Sequence, residues 1–276
     1  MINRILVAGG GTGGHLFPGI AVVEELRRRH PDLQVTFMGT AKGIEARVIP
    51  QLGDVLDLVD AVPLSGLPWW KKVANVAALP KAVIQAREIL LRRKPELVLG
   101  VGGYASGPAL LAARTLGIPT AILEQNASPG MTNRLVSSWV GRAYVTFEAT
   151  AADFGERART LGNPVRRSFV DHARIKLSDG TQSRPRTILV IGGSQGSQAL
   201  NQLVPSILAS VVSRYNQTAR WPLRVLHQTG NAAGSTQTIY QDHGVTADVV
   251  PFIENMAAAY SDAYLVIARA GATTLA

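Results

Sequence analysis

Apolar and polar positions alternate along the first half of the chain in a way that separates strands from helices. Strand-like apolar runs are predicted at 5–8, 35–38, 97–100, 120–123 and 143–146. A helical segment at about 18–29 follows the first run. Strands that alternate with helices form βαβ units and a parallel sheet, whose strands are apolar throughout because both faces are covered. The pattern therefore predicts an α/β fold.

The same pattern begins again in the second half of the chain. A polar segment at 176–186 interrupts the alternation, and an apolar run at 188–191 follows it. Both halves open with an apolar strand that runs into a glycine loop and then into a helix. We therefore predict two Rossmann-like domains, 1–165 and 166–276, whose parallel sheets face one another across a cleft.

The composition is that of a globular protein. Apolar residues make up 46% of the 276 positions and charged residues 17%, and there is no cysteine. The lack of cysteine excludes disulfides, thiolate zinc sites and cysteine nucleophiles. No apolar run reaches the roughly 18–20 residues of a membrane-spanning helix. Since the first strand starts almost at the first residue, we expect no signal peptide, a cytoplasmic location and only peripheral membrane contact.

The formal net charge of +9 favours polyanionic partners, which include anionic lipid, phosphorylated substrates and nucleic acid. Seven basic residues and one acidic residue lie between 71 and 94. Because this stretch has no recognisable motif for nucleic-acid readout, we expect no nucleic-acid partner.

The first glycine loop, residues 9–14, contains the spacing G-x-G-x-x-G. A dinucleotide site also needs an acidic residue at the end of the second strand, where this chain has Gly39-Thr40. A P-loop needs lysine where this chain has His15. What remains is a helix N-terminus whose amides suit a diphosphate or an oxyanion, or else a simple tight turn. A second glycine loop at 192–197, at the matching point of the second domain, favours binding.

His15 follows the first loop at the start of a helix, where the positive helix end keeps the imidazole neutral. It could act as a general base, or it could simply pack against the loop. Polar clusters at 102–108 and 124–126 follow other predicted strands and should converge with His15, whereas Asn133 in the next helix could be only a surface residue. The chain has no Asp-x-Asp pair, so we expect neither a metal nor a cofactor.

Six motifs in fixed order span nearly the whole chain. They are Gly-Gly-Gly-Thr-Gly-Gly-His15, Gly-Gly-Tyr-Ala-Ser-Gly-Pro108, Glu-Gln-Asn126, Gly-Asn-Pro-Val-Arg166, Gly-Gly-Ser-Gln-Gly196 and Phe-Ile-Glu-Asn-Met256. Together they resemble the MurG family of glycosyltransferases. The resemblance implies a GT-B architecture with an acceptor-binding, membrane-side first domain and a UDP-sugar-binding second domain. It also implies inverting transfer of N-acetylglucosamine from UDP-N-acetylglucosamine to the 4-hydroxyl of undecaprenyl-pyrophosphoryl-N-acetylmuramyl pentapeptide.

The resemblance also assigns roles to individual residues. His15 would activate the acceptor and Tyr104 would assist it. The residues that would bind UDP-N-acetylglucosamine are Thr12, Gly13, Gly14, Asn126, Arg166, Ser194, Ile253, Ala272, Thr273, Thr274, Leu275 and Ala276. An epimerase of the same architecture, or a non-enzymatic nucleotide-sugar-binding protein, remains an alternative.

Two further expectations concern the membrane and the end of the chain. The segment 67–72, followed by a helix beginning near Pro80, is predicted to dock on the cytoplasmic face of the bacterial membrane through Trp69, Trp70, Lys71 and Lys72. The alternative is that one tryptophan is in the core and the lysines are simply solvated. Since the MurG pattern continues beyond Ala276 with an acidic residue and further helices, we expect a truncated chain with weak donor binding and little transferase activity.

Overall fold

The computed structural model describes residues 2–62, 69–171, 186–218 and 222–275, with the side chains of 69–77, 218, 273 and 275 outside the description. The chain forms two compact units, residues 1–166 and 167–275. Each unit is built around its own parallel sheet.

Within the described residues, the first unit contains seven strands. They are β1 (Arg4–Gly9), β2 (Gln34–Gly39), β3 (Val55–Leu58), β4 (Leu97–Gly102), β5 (Thr120–Glu124), β6 (Arg142–Val145) and β7 (Ala158–Thr160). Their order across the sheet is β3-β2-β1-β4-β5-β6-β7, and every pairing is parallel. The order reverses next to β1, between β1 and β4, which is where ligands bind in open α/β sheets.

Helices cover both faces of this sheet. They are α1 (Gly13–Arg29), α2 (Glu45–Gln51), α3 (Trp69–Arg93), α4 (Ser106–Thr115), α5 (Met131–Val136) and α6 (Glu148–Ala151), with a 3-10 turn at Gly155–Arg157. Alternate side chains of the central strands enter two separate cores: Leu6 packs with α3 and α4 on one face, and Val7 packs with α1 on the other.

The described part of the second unit has four parallel strands in the order β10-β9-β8-β11. The strands are β8 (Arg186–Ile191), β9 (Leu223–Gln228), β10 (Ala247–Val250) and β11 (Ala263–Ala268). The helices are α7 (Gln198–Thr218), α8 (Ala233–Asp242), α9 (Met256–Asp262) and α10 (Ala272–Leu275), with a 3-10 turn at Gly230–Ala232. The predicted α/β class with two Rossmann-like parallel sheets is confirmed.

Two helix starts differ from the sequence prediction. α1 begins at Gly13, five residues before Pro18, because the glycine loop turns directly into the helix. α3 begins at Trp69 and passes through Pro80, where a new helix was expected to start. Proline removes one backbone hydrogen-bond donor from a helix, but α3 is helical both before and after Pro80. Ala82, Ala86 and Leu90 of α3 are buried in the core.

Among the residues that the structure describes, no helix is long and apolar enough to cross a membrane.

Candidate functional site

The predicted site residues of the first unit meet at the carboxyl edge of its sheet. The Gly10 amide donates to the Gly102 carbonyl over 3.1 Å, which joins the loop after β1 to the loop after β4. Gly102 has φ +90°, and a Cβ there would meet the His15 ring at 2.7 Å. The absence of a side chain at Gly102 therefore lets the imidazole lie directly against the second loop.

His15 lies in the first turn of α1, with Nδ1 3.2 Å from the Thr12 hydroxyl. Burial lowers the pKa of this imidazole from its ordinary value, and the nearby Glu124 carboxylate, the Gly10 backbone and Glu45 partly oppose that shift. The ring is therefore neutral near pH 7 and can accept a proton. Thr12 precedes the helix in an extended conformation, and its carbonyl accepts the amides of His15 and Leu16 over 3.2 and 3.1 Å.

Glu124 organises the loop after β5. Its carboxylate is almost fully buried and accepts from the backbone and side-chain nitrogens of Asn126, both over 3.0 Å. It also accepts from the Gly130 amide over 2.8 Å and from Asn133 Nδ2 over 2.9 Å. Asn126 itself is exposed, so its side chain is held at the surface of the loop by a buried anion.

Asn133 is not the surface residue that the sequence suggested. It is 3% exposed, and Nδ2 also donates to the Leu123 carbonyl over 2.9 Å. Asn133 lies on the buried side of the short helix α5, and its hydrogen bonds to Leu123 and Glu124 hold it in the interior. Its Oδ1 is buried without a hydrogen-bond partner among the described residues.

These loops border a cavity of about 350 Å³ within the first unit. His15, Tyr104, Glu124 and Asn133 contribute polar groups to its lining. The apolar part of the lining includes Leu79, Leu111, Met131, Leu135 and Trp139. Tyr104 is 42% exposed and its ring lies beside Gly11. A ligand in this cavity would thus meet a neutral imidazole, a phenol and a largely hydrocarbon lining.

Sequence reasoning missed one buried carboxylate at this site, that of Glu45 in α2. It accepts hydrogen bonds from Gly11 of the glycine loop and from Thr40. The sequence does contain a signal for Glu45. A dinucleotide site is excluded because Gly39-Thr40 has no acidic residue, but an acidic residue, Glu45, follows soon after in the sequence.

In the second unit, the glycine loop after β8 packs closely against the turn after β9. A Cβ at Gly196 would overlap the Thr229 carbonyl, and one at Gly230 would overlap the Gln195 carbonyl. Asn201 of α7 donates to the Thr229 carbonyl over 3.0 Å and strengthens the junction. Ser194 is half-buried within this loop.

Gln228, at the end of β9, connects two predicted donor-binding segments of the second unit. Its Nε2 donates to the Gly193 carbonyl over 2.8 Å, and its Oε1 accepts from the Ile253 amide over 2.8 Å. The backbone amide of Ile253, a residue predicted to bind the donor, is therefore engaged by Gln228. Sequence reasoning did not identify Gln228, since its role depends on contacts between two loops distant in sequence.

The helix α10 begins at Ala272, after β11. β11 pairs with β8, so the start of α10 and the second glycine loop lie at the ends of neighbouring strands. Thr274 donates its amide to the Gly271 carbonyl over 2.9 Å. Of the other residues predicted here, Thr273 and Leu275 are described by backbone only, and Ala276 lies outside the described residues.

Arg166 is the last residue of the first unit, and its guanidinium lies 4.5 Å from the centre of the Phe17 ring of α1. Burial lowers its pKa, which the Glu24 carboxylate partly opposes. A guanidinium stacked on an aromatic ring keeps its charge and its planar donors in a fixed orientation.

The predicted membrane segment is only partly described. Residues 67 and 68 lie outside the described residues, and Trp69, Trp70, Lys71 and Lys72 form the first turn of α3 with their side chains outside the description.

Two family models match the chain. The model of the glycosyltransferase family 28 N-terminal domain matches residues 5–145, and that of the family 28 C-terminal domain matches residues 187–276. The first match spans β1 to β6, and the second spans β8 to β11.

Curated relatives carry one shared name, UDP-N-acetylglucosamine–N-acetylmuramyl-(pentapeptide) pyrophosphoryl-undecaprenol N-acetylglucosamine transferase. The protein of this name from Myxococcus xanthus is 45% identical over 275 residues, which are 99% of this chain and 70% of the relative. The one from Trichlorobacter lovleyi is 42% identical over 289 aligned residues, covering 99% of this chain and 75% of the relative.

Solved structures agree with these matches. Acinetobacter baumannii MurG is 33% identical, with a TM-score of 0.64 over 99% of this chain and 73% of that structure. A UDP-N-acetylglucosamine 2-epimerase from Neisseria meningitidis has a TM-score of 0.63 over 96% of this chain and 77% of its own, but at 14% identity it shares the fold alone. The two domain models, the relatives and the MurG structure lead to one conclusion: the chain belongs to glycosyltransferase family 28 and, within it, to the MurG enzymes.

Proposed function

We propose that this protein transfers N-acetylglucosamine from UDP-N-acetylglucosamine to the 4-hydroxyl of the N-acetylmuramyl unit of undecaprenyl-pyrophosphoryl-N-acetylmuramyl pentapeptide, with inversion at the anomeric carbon. The match to relatives that carry this activity in their name is the main support. The observation from the structure that carries the proposal is the cavity beside His15, which combines a neutral proton acceptor with a largely apolar lining. An acceptor that joins a sugar to a lipid matches both features, because its sugar hydroxyl can give a proton to His15 and its lipid can contact the apolar lining.

The reaction proceeds by direct displacement. The acceptor 4-hydroxyl oxygen attacks the anomeric carbon of the donor from the face opposite the UDP, and the bond between that carbon and the phosphate oxygen breaks. His15 takes the proton of the attacking hydroxyl, which is what its lowered pKa allows. Tyr104, at the mouth of the same cavity, hydrogen-bonds the acceptor sugar.

The leaving group carries the electron pair of the broken bond as charge on its diphosphate. Backbone amides at helix starts and the Arg166 guanidinium stabilise that charge, and one such donor typically contributes about 3 kcal/mol to the barrier reduction. The residues proposed to hold the donor are Thr12, Gly13, Gly14, Asn126, Arg166, Ser194, Ile253 and 272–276. In this assignment residues 1–165 form the acceptor-side domain and 166–276 the UDP-sugar-binding domain.

The acceptor is lipid-linked, so the protein would work at the cytoplasmic face of the bacterial membrane as a peripheral enzyme. Support comes from Trp69 and Trp70 beside Lys71 and Lys72 at the start of α3, a combination typical of interfacial anchors.

Radiolabelled UDP-N-acetylglucosamine separates this function from its alternatives. With the lipid-linked acceptor present, we expect label to move into the lipid fraction and UDP to be released in equal amount. Formation of an isomeric UDP-sugar without acceptor would instead indicate an epimerase. Saturable donor binding with neither product would indicate a binding protein. Either result would contradict the transferase proposal.

A further inference from the structure

Glu45 is a buried carboxylate with no role in the mechanism above. Glu45 as a whole is 1% exposed. Oε2 accepts the Gly11 amide at 2.6 Å, and Oε1 accepts the Thr40 amide at 2.9 Å and the Thr40 hydroxyl at 3.0 Å. All three donors are uncharged. Burying an ionised carboxylate is costly unless its oxygens are hydrogen-bonded, so this arrangement requires both partners to stay in place.

The surrounding backbone leaves space for this side chain. A Cβ at Gly10, Gly39 or Gly43 would overlap atoms of the Glu45 side chain. Gly10 also has φ +129°, a conformation that other residues rarely adopt. Three glycines from the first loop, the end of β2 and the segment before α2 therefore enclose one carboxylate. The glycine at position 10 is explained by Glu45 and does not require a ligand.

Contacts lead from Glu45 to the proposed catalytic group. The carboxylate holds Gly11, and the adjacent Gly10 amide is bonded to the Gly102 carbonyl. The His15 ring lies against Gly102 on one side and near the Thr12 hydroxyl on the other. A displacement of Gly11 would therefore move Thr12, the start of α1 and the imidazole together.

We propose that Glu45 is a positioning residue for the transfer reaction, whose carboxylate fixes the first glycine loop and thereby the orientation of His15. The inference rests on the proposed function. It predicts that removal of one carboxylate oxygen lowers kcat through His15, although Glu45 touches no substrate.

Glu45→Gln is the direct test, because it keeps the shape of the side chain but replaces one acceptor by an NH₂ group. If the remaining carbonyl serves Thr40, the NH₂ group faces the Gly11 amide and both are donors. We expect kcat to fall roughly tenfold to a hundredfold. The KM for UDP-N-acetylglucosamine should rise by a smaller factor, because the same loop carries Thr12, Gly13 and Gly14 of the proposed donor site. The Gly11 amide proton should move upfield in the NMR spectrum, because it loses a charge-assisted hydrogen bond.

Glu25→Gln is the matched control. Glu25 lies on the same unit and is exposed, with Arg28 and Arg29 as its partners. Its replacement removes the same charge without touching the loop, so we expect wild-type kcat and an unmoved Gly11 amide signal.

A double-mutant cycle with His15→Ala distinguishes positioning from general support of the fold. If Glu45 acts through His15, Glu45→Gln should cause little further loss of kcat in the His15→Ala background. Losses that multiply in the double variant would overturn the inference. So would a variant with a lower melting temperature but wild-type kcat, or an unshifted Gly11 amide.

Thr40→Val keeps the test decisive should Glu45→Gln fail to fold. It leaves the carboxylate in place and removes one donor, so we expect a smaller fall in kcat that also disappears in the His15→Ala background. Wild-type kcat in Thr40→Val would then refute the inference. Absence of transfer by the wild-type protein would count against the proposed function alone, since the Gly11 amide signal reports the loop without turnover.

Discussion

His15 occupies the first turn of α1, where opposing influences on its charge meet. Burial lowers the pKa of the imidazole most strongly, while the Glu124 carboxylate, the Gly10 backbone and Glu45 act in the other direction. Stronger burial would leave too weak a base, and more carboxylate influence would leave the ring protonated. A general base works best with a pKa near the working pH.

Replacement of His15 by alanine should lower kcat about 10²–10⁴-fold, because a base acts mainly in the transition state. The dissociation constant of UDP should change little. His30→Ala is the control, since His30 is an exposed histidine at the other end of the same helix. Steady-state transfer assays and UDP titration measure the two quantities. Unchanged kcat in His15→Ala would reduce His15 to a loop-packing residue.

Arg166→Ala should weaken UDP binding more than it lowers kcat at saturating donor. The guanidinium is proposed to contact the diphosphate or ribose, and a hydrogen bond to a charged group contributes about 1.5–3 kcal/mol. Arg167→Ala is matched in charge and position, with a side chain that is more exposed and paired with Asp171. Isothermal titration with UDP compares them. Equal affinities in the two variants would remove Arg166 from the donor site.

The sequence located His15 and the loops around it, because glycine loops and polar strand ends are visible as local patterns. It left open that Asn133 is a surface residue, and it gave no role to Glu45. Both are buried by packing between segments distant in the chain, which no local pattern records. Hydrogen bonds compensate for this burial. Asn133 donates to Glu124, and Glu45 accepts from Gly11 and Thr40.

Among the elements, the second glycine loop and the turn after β9 depend on close backbone contact. Gly196→Ala should lower the melting temperature by several degrees, because the new methyl group would overlap the Thr229 carbonyl and φ is +78°. Gly244→Ala carries a similar backbone strain at φ +66° but meets no atom within 4 Å. Thermal melting without ligand compares them. Equal losses would mean that strain alone, not the contact, makes Gly196 necessary.

β9 also contains a buried histidine away from the proposed site. His227 is fully buried, with Nδ1 3.0 Å from the hydroxyl of Tyr240 on α8. Burial lowers the pKa of His227 to about 4 and raises that of Tyr240. The folded state therefore binds fewer protons than the unfolded chain between about pH 6.5 and 4.

This arrangement predicts acid sensitivity of the second unit. The contribution of His227 is fully present above about pH 6.5 and decreases as the pH falls toward 4, by roughly 1–3 kcal/mol. His227→Asn can keep the bond to Tyr240 but does not titrate, so its unfolding free energy should fall less over this range. Hydrogen exchange of the β8 and β9 amides at several pH values isolates the second unit. Parallel pH curves for both proteins would contradict the prediction.

The predicted strands at 5–8, 35–38, 97–100, 120–123, 143–146 and 188–191 are confirmed, whereas α3 differs most from its prediction. Pro80 predicts the start of a helix, since proline suits a first turn. In the structure the apolar residues of α3 that follow Pro80 pack into the core of the first unit. This tertiary contact outweighs the loss of one backbone hydrogen-bond donor at the proline.

At the scale of the whole molecule, ion pairs with acidic residues reduce how much of the net charge of +9 is available to a partner. The sequence placed seven basic residues between 71 and 94. Arg92 and Arg93 both contact Asp57, over 2.9 and 2.8 Å, and Lys81 contacts Asp60 over 2.7 Å. Three of the seven charges are thus directed at acidic residues that lie before 71 in the sequence. A linear count of charge could not show this, because Asp57 and Asp60 belong to β3 and the segment after it.

The position of basic residues along the chain decides how the protein would meet a membrane. If the start of α3 is the docking surface, Lys71→Gln/Lys72→Gln should weaken binding to vesicles that contain anionic lipid by roughly tenfold or more, since each basic group near such a surface contributes about 1 kcal/mol. Arg92→Gln/Arg93→Gln removes the same net charge from residues already bound to Asp57 and should weaken binding less.

Trp69→Ser/Trp70→Ser should reduce binding to anionic and neutral vesicles alike, because indole rings anchor at the interface without charge. Cosedimentation with both kinds of vesicle at low and high salt measures all three variants. Equal losses from the two charge variants would mean that overall charge attracts the protein, and unchanged binding of the tryptophan variant would place the docking surface elsewhere.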